Sequence, residues 1–145
     1  MPDHAPLHFI PTPTGYLVVL EQGDDFFGAL GQLMATESIP SASLVAIGFA
    51  ATATFGFYDF ARKDFVPKTF ENVEMASVTG SLAWQDGKPS IHVHGVAGRD
   101  NFSTVGGHLL ALVVGTGSLE ITITRHDREL QRMVEPSIGA NVLQL

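Results

Sequence analysis

Residues 73–95 read VEMASVTGSLAWQDGKPSIHVHG. Val73 to Trp84 is rich in strand-forming residues, and Ser90 to Gly95 alternates apolar with polar side chains. Between them, Gln85-Asp86-Gly87-Lys88-Pro89 carries an Asp-Gly pair, the chemistry of a tight hairpin turn. This stretch predicts an antiparallel hairpin, and most of the remaining chain repeats its style. Upstream, Tyr16 to Glu21 reads as a strand, Ala42 to Phe49 as a nearly continuous apolar strand covered on both faces, and Ala51 to Tyr58 as a looser one. Asp64 to Lys68 reads as a polar connection. Downstream, His108 to Val114 and Leu119 to Thr124 are two further strands joined by Gly115-Thr116-Gly117, and the tail from Val142 to Leu145 suits an edge strand.

One segment breaks the β pattern. Gly23-Asp24-Asp25 is a helix-start signal, with an Asp placed to cap free N–H groups. From about Asp25 to Glu37, Phe26, Ala29, Leu30, Leu33 and Met34 form one apolar stripe. Ser38-Ile39-Pro40 ends the helix, because a residue before proline avoids helical torsions. One strand, one amphipathic helix near the N-terminus, then hairpins: the expectation is a single α+β domain on a largely antiparallel central sheet.

Composition narrows the function classes. The chain has 145 residues, no cysteine and a formal net charge of −7, with 45% apolar and only 16% charged residues. That length suits one domain, and the sparse charge suits a protein that covers extra surface by self-association. Without cysteine, a metal site must use His, Asp or Glu, and neither a disulfide framework nor a thiol nucleophile is available. Residues 1–4 show neither the basic nor the apolar region of a signal peptide, and no apolar run reaches membrane-spanning length, so a soluble cytoplasmic protein is expected. Only eight residues are Lys or Arg. Arg125, Arg128 and Arg132 are the densest group and the best candidate for nucleic-acid contact, yet the net charge disfavours DNA. No serine sits in a Gly-x-Ser-x-Gly elbow, and no glycine run matches a phosphate or dinucleotide loop. The aromatic group Phe55, Phe57, Tyr58 and Phe60 reads better as core or interface packing than as a stacking platform.

The candidate chemistry sits where the hairpin ends. In a strand, His92 and His94 face the same side, with Cβ atoms roughly 6.5–7 Å apart, close enough for two imidazoles to converge on one ion. His108, after Gly106-Gly107, is the obvious third ligand, and the glycine pair permits an unusual backbone path. The competing reading leaves all three on a half-exposed sheet face, hydrogen-bonded to the backbone. Glu74 and Asp100 are the candidate carboxylates for proton handling beside such an ion, with an outward strand position and a turn as their plainer readings. His4, His8 and His126 carry little signal.

Taken in order, Gly23-Asp24-Asp25, Ile39-Pro40-Ser41-Ala42, Val73 to Gly80, His92-Val93-His94 and Gly106-Gly107-His108 resemble the plant-and-prokaryote conserved (PPC) domain, a family of unknown function described as DNA-binding with a PD1-like motif. The resemblance spans residues 15–143 and leaves 1–14 as an N-terminal extension. It implies an α+β fold, a homotrimer, and a metal site at His92, His94 and His108, with zinc the usual suggestion. It also implies a DNA-associated scaffold role in plant members, which carry Arg-Gly-Arg-Pro segments that this chain lacks: residues 1–14 hold no Lys or Arg.

Overall fold

A computed structural model describes residues 6–145; His4 lies outside them. Eight strands form one sheet: β1 (His8–Thr12), β2 (Gly15–Glu21), β3 (Ser41–Asp59), β4 (Asp64–Gln85), β5 (Lys88–Gly98), β6 (Thr104–His126), β7 (Gln131–Glu135) and β8 (Ala140–Gln144). The one helix, α1, spans Phe26–Thr36. The order across the sheet is β1-β2-β6-β3-β4-β7-β8, and β5 pairs with both β4 and β6. Strands β3, β4, β5 and β6 therefore pair in a closed circuit, which removes free edges from the centre of the molecule.

The expected hairpin is present. Gln85 pairs with Lys88, and Asp86 and Gly87 both take positive φ, 51° and 76°. Two successive positive-φ residues make the turn whose twist matches antiparallel strands.

The α+β expectation is overturned: the described residues are 70% strand and 8% helix, a mostly-β fold in which α1 is a single short element. The error came from reading glycines and polar residues as strand ends. Strand β3 runs 19 residues, β4 22 and β6 23. Gly115-Thr116-Gly117 lies inside β6, where Gly48 pairs with Leu119 but Ala50 already pairs with Val114. Two steps along β3 thus oppose five along β6. The bulge bends the strand without ending it, and Gly117, at φ 109°, supplies the torsion. Asp64 to Lys68 is likewise the exposed start of β4, paired with Phe55–Asp59. A polar strand at a sheet's exposed end looks like a loop in sequence.

Helix α1 buries Phe26, Leu30, Leu33 and Met34 against the sheet. Asp25 occupies the N-cap position but makes no side-chain cap. Asp24 instead turns its Oδ2 back to accept from Glu21 N–H at 2.8 Å. At the other end, Trp84 Nε1 donates to Ile39 O at 2.9 Å and ties the helix exit to β4.

The apolar run Ala42 to Phe49 is not covered on both faces. Ala42, Leu44 and Ala46 are buried, while Val45, Ile47 and Phe49 are exposed, at 54%, 51% and 42%. With Leu17 and Val19 of β2 they leave an apolar outer face on the sheet.

Candidate metal centre

His92 and His94 stand two residues apart on β5, and backbone pairing sets His94 directly opposite His108 of β6. The register alone therefore gathers three imidazoles. Their ring centroids lie 5.2, 5.2 and 5.4 Å apart. One nitrogen from each ring lies within 4.8 Å of the others. Tetrahedral coordination with metal–nitrogen bonds near 2 Å needs separations of about 3.3 Å, so small ring rotations bring these donors into range. The three rings converge within a single chain. Gly107, at φ 146°, takes the backbone path that the glycine pair before His108 suggested.

The surroundings favour neutral rings. Burial, then the neighbouring His92 and His94, pushes the His108 pKa down to about 4. Burial also lowers the His92 pKa, aided by the Arg132 guanidinium and by His94. Neutral imidazole is the form that ligates a metal. Phe65 of β4 stacks on His108, 4.4 Å between centroids and 11° from parallel, and holds that ring's plane.

The rings line a cavity of about 790 Å³ between the β3–β4 hairpin tip, β5, β6 and the start of β8. Three charged groups share it: Lys63, Asp64 and Arg132. Arg132 is only 4% exposed. Its Nη1 donates to the Ser90 carbonyl, a short contact, and to Ser90 Oγ at 3.1 Å; its Nη2 donates to Ser81 O at 3.2 Å and Ser81 Oγ at 2.6 Å. Ser81 is the pairing partner of His92. The guanidinium thus clamps the hairpin across the base of the site, while its Nε is buried without a partner.

The other candidates fare differently. Glu74 pairs with Gly98 and lies beside Phe49 and Glu120. It stands five residues along β4 from Thr79, the partner of His94, which is about 17 Å of strand. Asp100 lies in the tight turn between β5 and β6, closed by Phe102 N–H donating to Arg99 O at 2.8 Å. Neither carboxylate reaches the histidines; among the described residues the cavity's carboxylate is Asp64, which sequence reading placed in a connection. Arg125 and Arg128 are exposed, but Arg132 is withdrawn from any nucleic-acid surface. Nothing local marks Arg132 as buried, because its acceptors lie 42 and 51 residues away. His126 sits apart from the three, 3.1 Å from Ser43 Oγ, and His8 pairs with Glu21 at 3.7 Å on the surface.

A family model for the Plants and Prokaryotes Conserved (PCC) domain matches residues 11–127, a span that contains His92, His94 and His108. The chain belongs to the PCC domain family. No curated protein matches this PCC domain. Among solved structures it resembles a protein from Ralstonia eutropha JMP134 described as a "putative DNA-binding protein", at 59% identity over 94% of this chain and 95% of that one, TM-score 0.92. It also resembles a metal-containing protein from Archaeoglobus fulgidus, at 25% identity over 98% and 100% of the two chains, TM-score 0.82. A PPC protein from Pyrococcus horikoshii shares the fold at 21% identity over 95% and 96%, TM-score 0.81. The family match stops short of β7, so Arg132 lies beyond it.

Proposed function

We propose that this PCC domain is a homotrimeric module that binds zinc or another divalent ion through His92, His94 and His108, with ligand binding or hydrolysis at that ion as its chemistry. The observation that carries this reading is the convergence of three imidazole nitrogens, within 4.8 Å, on one wall of a cavity. Three neutral nitrogen donors with one position left over form an established zinc donor set. The metal-containing relative from A. fulgidus supports it. A bound divalent ion would supply Lewis-acid polarisation of an oxygen in the cavity. The chain's own groups would do the rest: Phe65 holds His108 and Arg132 holds the hairpin under His92. The exposed apolar face formed by Leu17, Val19, Val45 and Ile47 is the kind of surface that self-association covers.

Elemental analysis of untagged protein, together with its mass in solution, tests both parts. About one divalent ion per chain in a trimer is expected, and His92→Ala should lose the ion. Full metal content in that variant would sink the site.

A DNA-associated scaffold is the second reading, favoured by the description of the R. eutropha relative. A net charge of −7 and the burial of Arg132 weigh against it. It requires a duplex complex that weakens steeply with salt. No gel shift at low salt would remove it.

A further inference from the structure

The cavity's charges and its aromatic rim point to a class of ligand. Arg132 is buried, and among the described residues no carboxylate lies within ion-pair reach of it. Lys63, in the β3–β4 turn, donates its Nζ to the Pro136 carbonyl at 3.3 Å. A divalent ion on the three histidines would add further positive charge, and Asp64 is the cavity's single carboxylate. Its Oδ1 is already used by Phe65 N–H at 2.8 Å. A cavity this positive disfavours a neutral or cationic occupant and draws an anion to the open coordination position.

The rest of the lining is apolar. Tyr58 and Phe60 border the cavity edge to face, 5.0 Å between centroids, and Phe60 is 65% exposed. Gly56 of β3, the pairing partner of His108, lets the Phe65 and Leu110 side chains close over it: a Cβ there would come within 2.8 Å of both.

We infer that the site takes a small organic carboxylate with a flat apolar body, its carboxylate at the ion's open position and its body against Tyr58 and Phe60. This rests on the metal reading above and names the ligand class for it. A simple inorganic anion would satisfy the charge but leave the aromatic rim wet. A nucleic-acid phosphate would likewise leave the rim unfilled.

The test uses the whole protein loaded with cobalt(II), whose visible bands report coordination number and anion entry. Benzoate, acetate and benzyl alcohol are titrated separately. Benzoate should shift the bands and saturate at about tenfold lower concentration than acetate, as burial of a phenyl ring predicts. Benzyl alcohol should leave them unchanged. Phe60→Ala, at an exposed position in the β3–β4 turn, should pull benzoate towards acetate and leave acetate as it was. Equal affinity for benzoate and acetate, no response to either anion, or a response to benzyl alcohol matching benzoate overturns the inference while the cobalt bands keep the metal site. Absence of the bands overturns the metal site itself, so the two failures are told apart.

Discussion

The histidine cavity and the outer face of β2, β3 and β6 are both incomplete surfaces, but of opposite kinds. The cavity gathers imidazoles, a buried arginine and a rim of rings in one concave place. The outer face is a shallow apolar strip in which Leu17, Val19, Val45 and Ile47 alternate with buried neighbours on the same strands. Strand alternation makes the difference. On β2 and β3 both phases of the alternation are apolar, so one phase fills the core and the other stays exposed. On β5 the buried phase is Val93, with Gly95 beside Met75 and Leu109, while the outward phase is His92 and His94. Under the proposed function the polar outward phase serves an ion or ligand, and the apolar one a protein surface.

Four experiments separate the two surfaces, beginning with the largest effect. His108→Ala should reduce metal affinity by at least about a hundredfold while leaving assembly intact, read by competition with a chelator and by sedimentation. Ile47→Asp should do the reverse. It would break the proposed trimer to monomers and keep the ion, because the three histidines converge within one chain. A monomer that has lost its metal would mean the two surfaces are one site. Arg132→Gln, with its ties to Ser81 and Ser90 cut, should destabilise metal-free protein by about 1–3 kcal/mol in urea. The last effect concerns pH. The His108 pKa is about 4 in the folded chain against 6.5 unfolded. Between those values the unfolded chain holds the proton and the folded one does not, so stability of metal-free protein falls as pH drops from 6.5 towards 4. Urea midpoints at pH 7 and pH 5 should show that fall, and His108→Gln should shrink it.

Legibility in the sequence followed the range of the interaction. The Asp86-Gly87 turn was readable because two adjacent residues set its torsions. The helix stripe was readable because its period lies within eleven residues, although α1 proved too small a part to make the fold α+β. His92 and His94 were readable as a pair for the same local reason. By contrast, Gly115 and Gly117 looked like a turn because a bulge and a turn use the same residues; only the partner strand tells them apart. Glu74 seemed near the histidines because it shares their hairpin, yet register places it far along β4. Asp64 was overlooked because an exposed strand start has no apolar signature.

By itself, then, the amino-acid order determined the β-hairpin at Asp86-Gly87, the helix at Phe26–Thr36, the absence of thiol chemistry, and the family through its ordered motifs. Each depends on neighbours in the chain or on composition. Tertiary structure alone decided that the long strands bend through bulges, that His94 faces His108, and that Arg132 lies under the site and not on the surface. Those depend on which strands pair and in what register, and a one-residue slip would turn every one of these side chains to the opposite face.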